Sequence, residues 1–135
     1  MALQYAVSVR NAQLDAFETD TGGTAILKIY QLTAAAPANC AAAITGTILA
    51  TMTLPADWMG AANAGTKAIA GTWSDTSADN AGTASWFRIF KNDGTTCQAQ
   101  GTVAQGSGDI SLDNIVIAAL QSVTISTFTL TAANA

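Results

Sequence analysis

The chain has 135 residues, five Lys or Arg against nine Asp or Glu, a formal net charge of −4 and no histidine. Charged residues make up 10% of it, against about a quarter in an ordinary soluble domain, while half of the residues are hydrophobic because alanine is so frequent. Scattered cations (Arg10, Lys28, Lys67, Arg88, Lys91) argue against nucleic acid, the missing histidine removes Ser-His-Asp and Cys-His catalysis, and no run approaches the roughly 20 apolar residues that span a bilayer.

The length fits a single domain, 1–135, that folds without metal or cofactor. Much of its surface must be Ala, Thr, Ser, Gly and Asn. Small neutral side chains lose little rotamer entropy when covered and carry no charge to desolvate, so such a surface suits contact with another protein. Met1-Ala2-Leu3-Gln4-Tyr5 lacks the basic start and apolar core of a signal peptide, which leads to an expectation of synthesis in the cytoplasm.

Between Leu3 and Phe17 the larger apolar side chains, Leu3, Val7, Leu14 and Phe17, fall near helical spacing. This predicts an N-terminal amphipathic helix or arm within 1–22, closed by Gly22-Gly23, with Arg10, Asp15 and Glu18 off the apolar face. In a chain otherwise made of strands, such a helix covers a sheet edge or open end, or reaches to a neighbour.

The rest, 24–135, reads as β-structure. Thr24 to Tyr30 is a strand, Ala34 to Cys40 is irregular, and Gly46 to Leu54 is a second strand stopped by Pro55. Trp58 sits on a short turn, where a large aromatic plugs one end of a core. A third strand runs from Lys67 to Trp73, a polar loop from Ser74 to Gly82, and a hairpin joins Thr83–Lys91 to Thr96–Val103 through Asn92-Asp93-Gly94. Asp109 to Asn114 is a short strand or turn. The last strand, Gln121 to Thr131, carries apolar groups on both faces, as a central or interface strand does. Six to eight short strands with turns between them give an all-β fold, an antiparallel β-sandwich or jelly-roll-like barrel with one N-terminal helix.

Reactive chemistry is sparse. Asp75, Asp79, Asp93, Asp109 and Asp113 each lie in a Gly, Ser or Asn context where an aspartate supports a turn, and neither Asp75–Asp79 nor Asp109–Asp113 has the ligand spacing of a calcium loop. No metal and no cofactor is expected. Cys40 and Cys97 are too few and too far apart for a metal site. They either pair or pack, and cytoplasmic synthesis favours free, partly buried thiols. Tyr30, Trp58, Trp73, Trp86, Phe87 and Phe128 could line a carbohydrate face, although strand tryptophans more often cap a core.

Several runs resemble a family of small virion proteins encoded by tailed bacteriophages. They are Leu3-Gln4-Tyr5 with Arg10-Asn11-Ala12-Gln13-Leu14-Asp15, Ala36-Pro37-Ala38-Asn39-Cys40, Leu54-Pro55-Ala56-Asp57-Trp58-Met59, Asp93-Gly94-Thr95-Thr96-Cys97 and Ser111-Leu112-Asp113-Asn114. The resemblance extends over nearly the whole chain and places it with capsid cement or decoration proteins. It implies a virion protein with no chemical step, which forms homodimers or homotrimers and binds the major capsid protein on the outer surface where capsomers meet. The residues it nominates for capsid or subunit contact are Leu3, Tyr5, Val7, Leu14, Phe17 and Trp58. A head-to-tail connector or tail protein, and a surface adhesin that binds host glycan through an exposed tryptophan, are the alternatives.

Overall fold

A computed structural model of the chain describes residues 1–32 and 35–135. One helix, α1 (Val7–Thr21), precedes ten strands: β1 (Ile26–Gln31), β2 (Thr47–Thr53), β3 (Thr66–Ala68), β4 (Trp73–Asp75), β5 (Gly82–Phe90), β6 (Cys97–Gln105), β7 (Ile110–Leu112), β8 (Val116–Ile117), β9 (Val123–Ile125) and β10 (Thr127–Thr131). The architecture is all-β and sandwich-like. An eight-stranded sheet runs β2-β1-β5-β6-β7-β10-β3 with β8 added to the start of β5, and β4 and β9 form a second, two-stranded sheet. The large sheet is an open mixed sheet, neither wholly antiparallel nor a closed barrel, because β6 and β7 run parallel.

β5 is the spine. Its alternation sends Phe87 and Ile89 into the core beside Leu27 and Ile29 of β1, and turns Trp86, Arg88 and Phe90 to the opposite face. A line of aromatic rings crosses the core from the helix to this strand. Phe17 meets Trp58 at 5.6 Å, Trp58 meets Trp73 at 5.7 Å, Trp73 meets Phe128 at 5.6 Å, and Phe128 meets Phe87 at 5.8 Å.

Two of the predicted strands are each two strands in different sheets. The run Lys67–Trp73 breaks at Gly71, whose φ of +69° favours glycine, so β3 ends in the large sheet and β4 begins in the small one. Gln121–Thr131 divides at Ser126. Val123 and Ile125 are buried, Ser126 and Thr127 are both exposed, and burial resumes at Phe128. The alternation therefore slips by one residue where the chain changes sheets, which is why apolar groups lie on both apparent faces of the run. Ser74 and Asp75, expected in a loop, belong to β4.

Both edges of the large sheet are closed. Along β2, Thr51 N donates to Asp75 Oδ2 at 3.0 Å, Leu49 O accepts from Asp79 N at 2.8 Å, and Ile48 O accepts from Asn80 Nδ2 at 2.8 Å. Beside β3, Gly60 N donates to Ala68 O at 2.8 Å and Ala70 N to Trp58 O at 3.0 Å. Bonded edges cannot template pairing with another chain.

Cys40 and Cys97 are joined in a disulfide, a correction to the expectation of free thiols. Cys97 opens β6 opposite Phe90, and the segment Ala35–Gly46 lies against Arg88 of β5 and Gln100 of β6, which brings the two Cα atoms to 5.5 Å. Ala34, part of the expected irregular run, lies outside the described residues. Arg88 Nη2 holds the segment by donating to Asn39 O and Ala42 O at 2.9 and 2.8 Å, and Gln100 Nε2 donates to Pro37 O at 2.6 Å.

The bridge closes a separation of 57 residues. Reduction, or Cys97→Ser, is expected to remove up to about 4 kcal/mol of stability by the chain-entropy relation. A urea titration measures the loss, and hydrogen exchange should rise first across residues 35–46.

Candidate contact surface

Helix α1 is fixed to the sandwich by a polar seam. Its buried side chains are Arg10, Leu14 and Thr21, so the inward side is as polar as it is apolar, and Arg10 lies inside the face it was expected to avoid. Arg10 donates from Nε and Nη2 to Ala132 O at 3.3 and 3.0 Å. Asn11 Oδ1 accepts from Gly65 N at 2.8 Å, and Ala132 N donates to Gly65 O at 2.9 Å. Gly65 has φ +76°, and a Cβ there would overlap the Arg10 guanidinium, so the turn requires glycine twice over.

One turn further along α1, Lys67 of β3 reaches Asp15 Oδ1 at 2.7 Å and Glu18 Oε2 at 2.8 Å while its own side chain is only 2% exposed. Burial works against the charged ammonium, but the two carboxylate bonds outweigh it and hold the Lys67 pKa above the usual lysine value. The bond from Lys67 holds the Asp15 carboxyl below its usual value.

The residues nominated for contact separate into two sets. Trp58 is fully buried, donates from Nε1 to Gly22 O at 2.9 Å and accepts at its own carbonyl from Trp73 Nε1 at 3.0 Å. Leu14 is buried and Phe17 half-buried against Trp58. These three belong to the core and to the helix seam, so for Trp58 and Leu14 the nomination is corrected: the same large apolar character that suits an interface is used inside. Leu3 and Val7 are exposed, and Tyr5 is half-buried with its N–H donating to Asn134 O at 2.8 Å. The helix begins at Val7, so Leu3 and Tyr5 precede it on an extended arm.

Sequence reasoning missed the other exposed large apolar groups, Val9, Leu32, Ile44, Val116 and Leu120. Leu120 in particular lies on a turn, where no periodicity marks it. A surface groove of about 240 Å³ starts beside it, lined by Leu112, Asp113, Asn114, Gln121, Val123 and Thr124 among others.

A separate patch is low in charge and borders a shallow groove that Thr127 and Thr129 line together with the exposed Asp109. Thr127, Thr129 and Thr131 of β10 are exposed on one face, and Thr129 and Thr131 stand opposite Ala68 and Thr66 of β3, which are exposed as well. No charged side chain shares that set of positions.

Asp75, Asp93 and Asp109 accept from backbone N–H groups, and Asp79 from a threonine hydroxyl. Asp75 accepts from Thr51 N and Ser77 N, Asp79 from Thr51 Oγ1, and Asp109 from Thr102 N at 2.8 Å and Thr102 Oγ1 at 3.0 Å. Asp93 accepts from Thr95 N and Thr96 N, both at 2.8 Å, and from Thr96 Oγ1. The Thr96 hydroxyl and these N–H groups lower its pKa to about 2. Each of these carboxylates stabilises a turn or an edge.

The tryptophans offer no open ring. Trp58 and Trp73 lie in the core, and Trp86 is buried between Tyr30, stacked at 4.2 Å, and the Arg88 guanidinium at 5.6 Å. Both faces of Trp86 are occupied, so a sugar platform built on an exposed ring is not formed. Among the described residues, the Tyr30 hydroxyl and Trp86 Nε1 are buried without a hydrogen-bond partner.

No family model matches the chain, and neither does any curated protein or solved structure.

Two outcomes follow from the charges. Lys67→Met is expected to stay within about 1 kcal/mol of the native stability, because it replaces a buried ion by packing volume. Asp15→Asn combined with Glu18→Gln should destabilise more, since it strands a buried ammonium. Urea midpoints give the order. For Asp93, a folded pKa of about 2 against an ordinary 3.8 means that its contribution is present above pH 3.8 and lost as pH falls towards 2. Asp93→Asn should therefore flatten the fall in urea midpoint over that interval and leave the dependence above pH 5 unchanged.

Proposed function

We propose that this protein is a bacteriophage virion structural protein, a capsid cement or decoration protein that binds the outer capsid surface and stabilises the junctions between capsomers. The observation that carries the reading is the low-charge face of β10 and β3, where Thr127, Thr129 and Thr131 lie beside Thr66 and Ala68. Such a face can be covered by the major capsid protein with little loss of rotamer entropy and with only Asp109, at its border, to desolvate. The blocked edges of the large sheet support the same use, because a protein displayed in many copies on a shell must not pair edge to edge with its neighbours. Repetition over the particle turns a modest affinity per site into large total stabilisation. In this reading the protein has no catalytic step; it acts by bridging subunits against the pressure of packaged DNA.

A cryo-electron microscopy reconstruction of the particle that carries the protein tests this directly. Ordered copies bridging capsomers over the whole shell are expected, with the β10–β3 face at the contact; density confined to the tail or its vertex would move the protein to the connector class. Thr129→Glu places a charge in the middle of the proposed face. It should leave urea stability unchanged and weaken binding to empty shells by roughly tenfold or more, the loss of about 1.4 kcal/mol.

A further inference from the structure

The large apolar side chains left exposed fall into two groups at opposite ends of the sandwich. Met1, Leu3, Val7 and Val9 form the first, on the arm and the opening of α1. Tyr5 and Arg10 tie this region to Asn134 and Ala132, next to the end of β10 and the start of β3. Leu32, Ile44, Val116 and Leu120 form the second. Gln31 pairs with Thr47 and Ala84, and Thr83 pairs with Val116, so β1 ends where β2 and β5 begin and where β8 joins them. The turn carrying Leu120 belongs to the same place, through Leu120 N donating to Ala78 O at 2.9 Å. β10 is antiparallel to β7, β7 parallel to β6, and β6 antiparallel to β5. The end of β10 is therefore opposite to the start of β5.

Leu120 is the least ordinary residue at the second end. Its φ is +67°, a left-handed conformation that bulky residues rarely adopt, and its side chain is 77% exposed. The turn is held by Gln121 N to Ala118 O, Ala118 N to Gln121 Oε1 and Ala78 N to Gln121 O, so the exposure is built in. Backbone strain that serves no packing inside the monomer points to a contact outside it. The groove that begins at Gln121, next to Leu120, holds Leu112 and Val123 among mostly polar side chains and gives a small apolar group somewhere to enter.

The second end also carries acid that the helix N-terminus at the first end can accept. Asp79 and Asp113 are exposed at the second end, and none of the five cations lies among Leu32, Ile44, Val116, Leu120 and the groove residues. At the first end, α1 begins with no acidic residue in its first turn and no side-chain cap. Its leading N–H groups and the positive end of its dipole are thus open to a carboxylate.

We propose that copies of this chain associate head to tail, the arm and first helical turn of one copy seating Leu3 and Val7 in the groove and against Leu120 of the next, with Asp113 facing the helix N-terminus. The contact is heterologous, so the rotation between copies decides whether it closes into a ring or continues as a filament. It adds self-association to the capsid-binding reading above and does not depend on it, since it is tested in solution without any capsid.

The experiment is sedimentation of the full chain at roughly 100 µM, where a contact of ~10 µM affinity is mostly formed, for the native protein, Leu120→Gly, Leu3→Asp and an equimolar mixture of the two variants. The native chain should associate and each variant should sediment as a monomer. The mixture should give a 1:1 dimer and nothing larger, because one variant keeps its arm and the other its groove. Leu120→Gly should also raise the urea midpoint, since glycine relieves the left-handed strain, and this separates loss of contact from loss of fold. A monomeric native chain, a variant that still associates, or a mixture that stays monomeric would each overturn the proposal, and association of Leu120→Gly alone would point to an arm-to-arm contact instead. Thr129→Glu lies on neither end and should associate normally, so this inference and the capsid reading fail separately.

Discussion

The Lys67 ammonium, buried at the rim of the sandwich and held by two carboxylates of one helix turn, is the constraint from which the arrangement of this end follows. A lysine in that position must have its charge answered, and β3 has nothing of its own to answer it. Asp15 and Glu18 lie three residues apart on α1, which puts both on one side of the helix and fixes its rotation about its own axis. With that rotation set, Phe17 falls on Trp58, Asn11 on the Gly65 turn and Arg10 on the Ala132 carbonyl. Trp58 then bonds Gly22, where the helix ends, and passes the packing on to Trp73 and the small sheet. Helix, edge and core are joined through this charged contact and the hydrogen bonds that flank it.

How much of this could be read from residue order depended on whether local pattern and tertiary role agreed. The hairpin Thr83–Val103 is legible because its alternation, its Asp-Gly turn and its burial coincide, and β5 and β6 form where the pattern puts them. The runs at Lys67–Trp73 and Gln121–Thr131 look like single strands because a change of sheet costs only a glycine at position 71 or a slip of one residue at Ser126. Three of the five cations, Arg10, Lys67 and Arg88, are buried. A sequence pattern assigns charge to solvent, and only the fold supplies the carbonyls and carboxylates that reverse the assignment. The disulfide was hidden for a related reason: a separation of 57 residues says nothing about proximity until β6 is paired with β5.

The contact residues divide along the same line. Leu3 and Val7 precede or begin the helix, where no partner in the monomer can reach them, whereas Leu14 and Phe17 come after Arg10 has brought the helix to the sheet. Trp58 has the composition of an interface anchor and the position of a core plug. Leu120 has no periodic signal at all, since its exposure is a property of a turn conformation set by hydrogen bonds from distant residues.

Burial of the cations also decides what kinds of association this surface allows. With Arg10, Lys67 and Arg88 inside, the exposed charge is almost entirely acidic, and copies approaching at random repel within about a Debye length, roughly 10 Å at 0.1 M salt. The carboxylates of α1 are the exception. Asp15 and Glu18 share the Lys67 ammonium, and Asp20 lies 3.8 Å from Lys91, so the acid of the helix is largely paired. The opposite end presents Asp79 and Asp113 with no cation among the apolar residues around them. Two acidic ends placed together repel, and two helix ends placed together leave both dipoles and both grooves unanswered. The arrangement that sets acid against the helix dipole and apolar area against apolar area is one end against the other, which leaves the low-charge threonine face at the side free for a different partner.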